Sequence, residues 1–254
     1  MTQDKVSPEV LASGKRSFKI EVPYTLMESG RKGIKKPLIL YLHGFGGNEK
    51  KFKKKCEPLF SFEAYHLFIQ GPYPVFDPSL SKTVSNWGRA WYLYDGRRKQ
   101  FIKSLELSSE FIQEIIDNLI KFIQVEKMCV IGYSMGGYLA GYFALTRWKH
   151  VNQLIVSGAR IKTEVMSEER WKNLSHMDVL ALHGRDDETV SFENQRREIE
   201  TLKSRGVRSE FRLLNQGHEF NTVVLDEIGS WMKSRGYKKS PDKEYVDLKN
   251  VLNR

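Results

Sequence analysis

Met128-Cys129-Val130-Ile131-Gly132-Tyr133-Ser134-Met135-Gly136-Gly137-Tyr138-Leu139-Ala140-Gly141 is the stretch on which the reading of this chain turns. An apolar run, Met128 to Ile131, leads straight into Gly-x-Ser-x-Gly. Small residues (Gly136, Gly137, Ala140, Gly141 and Ala144) lead out of it. The first run reads as a buried strand and the second as a closely packed helix, so Ser134 falls on a tight strand-to-helix turn. Such a turn forces the serine into a strained backbone conformation and lifts its hydroxyl above the sheet. Glycines flank it because a Cβ there would collide with strand and helix. The helix N-terminus beyond offers free N–H groups and a positive partial charge to an anion. As a bare string the motif is weak, with about 0.1 chance matches expected at ordinary Gly and Ser frequencies. Its setting carries the weight.

Outward from that turn, short β-like runs alternate with longer helix-like ones. Ser17 to Met27 alternates apolar and polar residues at period two, and Pro37 to Leu42 is continuously apolar. His66 to Ile69, Gln153 to Val156 and Val179 to Leu182 repeat that character, and Glu210 to Leu214 closes the series. Continuous apolar strands imply burial on both faces, hence a mainly parallel sheet covered by helices. Ser108 to Val125 reads as an amphipathic helix capped by Ser108 or Ser109. Gly136 to Trp148, Phe192 to Ser204 and Thr222 to Ser234 follow suit, with Gly206 and Gly236 as C-terminal stops. The expected fold is an α/β doubly wound, mainly parallel sheet with helices on both faces. Residues 1–254 are expected to form one domain with its core over about 18–235. Gly71 to Gly96 reads as a long loop, and residues 237–254 as a charged, partly disordered tail.

A serine hydroxyl needs a base to take its proton and an acid to orient that base. His218, in Gln216-Gly217-His218-Glu219, follows the last strand, on the sheet edge where parallel strands deliver all their C-terminal loops. His43 and His183 each precede a glycine at a strand end and read as supports for backbone turns. After the penultimate strand, Asp186, Asp187 and Glu188 supply three adjacent carboxylates, among which chemistry alone does not choose. Leu42-His43-Gly44-Phe45-Gly46-Gly47 follows the second strand, and its glycines let backbone N–H groups face the serine. Phe45 and Met135 N–H are the expected oxyanion donors.

These residues resemble the α/β-hydrolases of the serine carboxylesterase, lysophospholipase and acyl-protein thioesterase type, and the likeness covers roughly residues 18 to 235. The order Ser, Asp, His is that fold's order. The family places its acid in His-Gly-x-x-Asp-x-x-Val, which falls on Asp187, three residues before Val190. Its Leu-His-Gly loop falls on Leu42-His43-Gly44, and its late Gly-His on Gly217-His218. The resemblance implies a carboxylesterase-type hydrolase using Ser134, Asp187 and His218, with Phe45 and Met135 around the oxyanion. Two features depart from the thioesterase branch. Met135 stands where that branch has Gln, and Asn86 to Tyr92 matches its Trp-Phe-Asp segment only loosely.

The short Ser157 to Asp178 connection leaves little room for a large lid. Trp87, Trp91 and Tyr92 are the candidate wall for an apolar acyl or aryl group, the competing expectation being that they pack the loop onto the core. Hydrophobic residues are 40% and charged residues 28% of the 254, which excludes wholesale disorder. Apolar runs are far shorter than the ~20 residues of a membrane-crossing helix. Met1 to Lys19 lacks the apolar core of a secretory signal, and two distant cysteines, Cys56 and Cys129, suit a reducing cytoplasm. The net charge is +10, densest at Lys50, Lys51 and Lys53 to Lys55. Without a nucleic-acid motif this reads as a solvated surface, leaving at most weak contact with an anionic membrane surface. With no Cys-x-x-Cys, no His-Glu-x-x-His and no Gly-x-Gly-x-x-Gly opening, neither metal nor cofactor is expected. The expected partner is a small-molecule ester, a lysophospholipid or thioester included. The competing functions are a peptidase built on the same nucleophile and a non-catalytic basic module for acidic lipid or nucleic acid.

Overall fold

A computed structural model describes residues 10–14, 16, 19–76 and 83–240, together with the backbone of 245–247. Among the described residues the central sheet has eight strands. In chain order these are β1 (Tyr24–Ser29), β2 (Lys36–Leu42), β3 (Ala64–Ile69), β6 (Val125–Tyr133), β7 (Gln153–Ser157), β8 (Asp178–Gly184), β9 (Arg208–Leu214) and β10 (Tyr245–Asp247). The spatial order is β10-β1-β3-β2-β6-β7-β8-β9. From β3 across to β9 every pair is parallel, while β1 runs antiparallel to both β3 and β10. Two short strands, β4 (Tyr73–Val75) and β5 (Gly88–Ala90), form a separate antiparallel pair. The helices are α1 (Glu49–Lys55), α2 (Arg98–Leu119), α3 (Met135–Thr146), α4 (Glu168–Trp171), α5 (Phe192–Ser204) and α6 (Thr222–Ser234).

The apolar strands sort their side chains by parity, as a sheet buried on both faces must. Leu38, Leu40, Leu42, Val130, Leu154 and Val156 join one core with α2, α3 and α5. Ile39, Tyr41, Cys129, Ile131, Ile155 and Leu180 join the other with α1 and α6. Helices therefore cover both faces. Between β7 and β8 stand only α4 and one 3-10 turn, so no large lid is built there. Among the described residues no helix is long and apolar enough to cross a membrane.

Three sequence expectations need correction. The first strand begins at Tyr24, not Ser17; Ser17 and Phe18 lie outside the described residues. α2 starts ten residues before the expected cap, so Ser108 and Ser109 are buried mid-helix. The apolar stripe had already begun at Phe101 and Leu105, and Ser108 spends its hydroxyl on the carbonyl of Trp91. Gly71 to Gly96 is not one loop, because it holds the β4–β5 pair. That ladder rests on backbone bonds and leaves no side-chain periodicity to read. Of the C-terminal stretch, Tyr237 is buried, Ser240 N–H donates to Ser61 O at 2.7 Å, and β10 adds to the sheet edge. The rest of that stretch lies outside the described residues.

Candidate active site

Ser134 sits between the last residue of β6 and the first of α3, with φ 52° and ψ −121°. Among the described residues it is the only non-glycine with positive φ. Such a conformation costs on the order of 1–3 kcal/mol and persists only where its surroundings hold it. Here Ser134 N–H donates to Ser157 O at 2.9 Å, while Gly137 and Tyr138 N–H donate back to Ser134 O at 2.8 and 3.1 Å. The motif's glycines follow from close packing. A Cβ on Gly132 would lie 2.3 Å from Gly136 O, and one on Gly136 would lie 2.2 Å from Leu42 O.

The loops after β8 and β9 meet over this turn. Arg185 N–H donates to Leu214 O at 2.8 Å and Asp186 N–H to Gln216 O at 3.0 Å. Gly184 allows that approach, since a Cβ there would stand 2.2 Å from Gly217 O. Three side chains are thereby brought together. His218 Nε2 lies 2.8 Å from Ser134 Oγ, and His218 Nδ1 lies 2.7 Å from Asp187 Oδ2. An ionised carboxylate only accepts, which assigns the proton to Nδ1 and leaves the Nε2 lone pair facing the serine hydroxyl. Asp186 and Glu188 are exposed, and neither reaches the histidine.

Asp187 has no exposed side-chain surface. Burial pushes its pKa up, but the hydrogen bond from His218 and those from the backbone N–H of Val190 and Thr189 outweigh it, leaving the net value below the ordinary one. His183 also reaches Asp187 Oδ2, at 3.2 Å, while donating from the same nitrogen to Val190 O at 2.8 Å. Burial lowers the pKa of His183, so it remains neutral. His218 is steadied from behind, its carbonyl accepting the hydroxyl of Tyr133 at 2.9 Å.

The loop after β2 lies against the serine. A Cβ on Gly44 would meet the Tyr133 ring at 2.9 Å and Ser134 Cβ at 3.4 Å. Gly46, at φ 69°, turns the chain, and Gly47 N–H closes the turn on Gly44 O at 3.1 Å. Inside the turn, His43 donates from Nδ1 to Gly44 O at 2.8 Å and accepts Gly71 N–H on Nε2 at 3.0 Å. Burial holds its pKa down at about 4. His43 and His183 thus act as the turn supports expected from their Gly neighbours. Phe45 carries an exposed side chain. Among the described residues, the N–H groups of Phe45 and Met135 make no hydrogen bond.

Of the three aromatics that could wall an acyl site or pack the loop onto the core, two do the latter. Trp91 is fully buried, with its indole N–H on His43 O at 2.8 Å, so it presents no face to a substrate. Tyr92 is a core residue edge-on to Phe101. Trp87 alone is partly exposed, packed edge-on against Phe76. Their aromatic character had suggested a wall, but burial turns two of them inward. Tyr133 is a site residue that sequence reading misses, because a hydroxyl contact to a backbone carbonyl leaves no trace in residue spacing. Among the described residues no group of three or more His, Cys, Asp or Glu is arranged to hold a metal ion.

A mostly parallel eight-stranded sheet with a strained serine turn at its carboxyl edge defines the α/β-hydrolase class. Within it, the chain belongs to the phospholipase/carboxylesterase family, whose profile matches residues 26–234. No curated protein matches the sequence. Among solved structures the chain is similar to a carboxylesterase of Bacillus cereus, at 18% identity and TM-score 0.62, covering 84% of this chain and 94% of that one. It is similar to acyl-protein thioesterase 2 of Zea mays, at 20% identity and TM-score 0.62, covering 84% and 98%. The protein Atu2452 of Agrobacterium tumefaciens, of unknown function, aligns at 18% identity and TM-score 0.64, covering 83% and 95%. At these identities the likeness establishes the fold.

Proposed function

We propose that this chain is a serine hydrolase of carboxylic esters, acting on small acyl or aryl esters through an acyl-enzyme. The observation that carries this reading is the continuous line Ser134 Oγ, His218 Nε2, His218 Nδ1, Asp187 Oδ2, at 2.8 and 2.7 Å. Ser134 attacks the ester carbonyl as its proton passes to His218 Nε2. The resulting oxyanion takes hydrogen bonds from Phe45 and Met135 N–H. His218 then hands the proton to the departing alcohol, leaving the acyl group on Ser134. Water enters, His218 takes its proton, and collapse of the second tetrahedral intermediate releases the carboxylic acid and restores the serine. Asp187 fixes the tautomer and stabilises the imidazolium formed twice in the cycle.

Hydrolysis of p-nitrophenyl esters of two to eight carbons tests the reading directly. The expected result is a burst of one nitrophenol per chain, absent in Ser134→Ala, whose rate falls by about 10³-fold or more. Equal slow hydrolysis by wild type and Ser134→Ala would overturn it. The same assay run beside a lysophospholipid and a thioester ranks the acyl donors.

A further inference from the structure

Trp91, a candidate either to wall a substrate or to pack its loop onto the core, runs its contacts to the two backbone segments that carry the proposed oxyanion donors. Its indole N–H donates to His43 O at 2.8 Å, two residues before Phe45. Its backbone N–H points at Met135 Sδ, at 3.4 Å, the side chain of the second donor residue. Its ring lies 4.9 Å from the His43 ring, and its carbonyl is in turn held by Ser108 Oγ from α2. The short strand β5 just before it grips the same loop. Gly46 N–H donates to Arg89 O at 3.0 Å, and Arg89 N–H to Gly47 O at 2.7 Å. Gly88 sits so close that a Cβ would stand 2.5 Å from Gly46 O, and Gly71 leaves room for Ala90 O in the same way.

We propose that Trp91 is a positioning residue for the oxyanion hole: one buried side chain and its own amide set the spacing between the Phe45 loop and Met135. The inference rests on the esterase reading above. An oxyanion hole works only when both donors stand at the position the charged oxygen will occupy, and displacement on the ångström scale costs up to ~10²-fold in rate. The loop after β2 carries three glycines and an exposed Phe45, and of its side chains buried His43 braces the turn from within, on Gly44 O. Trp91 holds the same segment from outside, through His43 O. Thioether sulfur is a weak acceptor, so the Trp91–Met135 contact orients Met135 rather than binding it tightly. The indole bond to His43 O is the stronger half.

Trp91→Phe keeps a buried ring and removes the indole donor. The expected result is a fall of kcat and kcat/KM for a p-nitrophenyl ester by about 10- to 100-fold, with KM within twofold, counted per active site by burst titration. A trifluoromethyl ketone, which forms a tetrahedral oxyanion on the serine, should lose affinity by a similar factor. The pH midpoint of kcat/KM should stay in place, because His218 and Asp187 are untouched. Met135→Leu keeps bulk and removes the sulfur, with an expected loss of about three- to tenfold; it also serves if Trp91→Phe does not fold. A merely structural role would lower the melting temperature or the titrated fraction of sites and leave kcat per site and ketone affinity unchanged. That outcome in both variants overturns the proposal. If Ser134→Ala keeps full activity, the esterase reading fails instead, and the two failures are told apart.

Discussion

His183 and His218 converge on a single carboxylate oxygen, Oδ2 of Asp187, at 3.2 and 2.7 Å. The other oxygen accepts the backbone N–H groups of Thr189 and Val190 at 2.9 and 2.8 Å. Asp187 is therefore held by the backbone and by His183 as well as by His218, and His183 is the histidine that opens the motif carrying the acid. His183→Phe keeps the ring and removes the donor, leaving Val190 O unpaired. A stability loss of about 1–3 kcal/mol is expected for that orphaned carbonyl. Looser placement of Asp187 should lower kcat about tenfold with KM unchanged. Steady-state kinetics beside urea unfolding checks both. A kcat within twofold of wild type would show that the second donor is idle.

Of the three adjacent carboxylates only Asp187 turns inward. Asp187→Asn changes little in shape but can offer its amide to His218, favouring the wrong tautomer. For a nucleophile–base–acid relay the expected loss in kcat is about 10³- to 10⁴-fold. Asp186→Asn and Glu188→Gln should stay within twofold, since both side chains are exposed and neither reaches the histidine. Comparable losses in all three variants would remove Asp187 from its role.

Much of this arrangement was legible from residue order alone. Apolar runs such as Leu38 to Leu42 and Met128 to Ile131 can be satisfied only between two helix layers, so they announced the sheet and its parallel sense. Parallel strands then placed Ser134, Asp187 and His218 on one edge. What escaped had no periodic signature. The β4–β5 pair is made of three-residue strands, with Pro74, which has no N–H to donate, standing opposite Arg89. Ser104, Ser108 and Ser109 lie on the buried face of α2, and two of them bond the chain around Trp91 and Leu93. Polar residues used this way look like a helix start. Trp91 looked like a pocket wall because an indole is equally suited to a substrate and to a buried carbonyl; only the neighbours decide.

Acid stability follows from two buried imidazoles kept neutral, His66 in the core and His43 beneath the loop after β2. Tyr41 Oη donates to His66 Nδ1 at 2.9 Å, His66 Nε2–H faces Ser29 Oγ at 2.7 Å, and that hydroxyl donates to Phe62 O at 2.6 Å. Burial lowers His66 to about 3 and His43 to about 4. Both values lie below the ordinary ~6.5, so the unfolded chain binds protons more readily than the native one. Their contribution is complete above about pH 6.5 and is lost as pH falls, through about 4 for His43 and about 3 for His66. Each neutral imidazole accounts for up to ~1.4 kcal/mol per pH unit in that window. Urea unfolding at pH 7 and pH 5 should show a fall of several kcal/mol. In His66→Gln, which cannot titrate, the fall should be smaller by roughly 2 kcal/mol. An identical pH slope in wild type and variant would mean that His66 is already protonated in the native state or plays no part.

Two glycines of α3 separate packing from propensity. At Gly136 an added Cβ would lie 2.2 Å from Leu42 O and 2.5 Å from His43 O, both backbone atoms that cannot step aside without moving the loop against Ser134. At Gly141, also buried, the nearest atoms are Ile161 Cα and Cγ1 at 3.4 Å, an ordinary contact. Gly141→Ala should therefore be neutral or gain up to ~1 kcal/mol, because alanine loses less backbone entropy in a helix. Gly136→Ala should cost about 3 kcal/mol or more, in the range of severe overpacking. It should also lower kcat by at least tenfold in whatever fraction folds, since the displaced carbonyls belong to the residues leading into Phe45. Thermal melting and burst-titrated kinetics on the two variants give the comparison, and a Gly136→Ala enzyme with wild-type kcat would show that the loop can shift without disturbing the site.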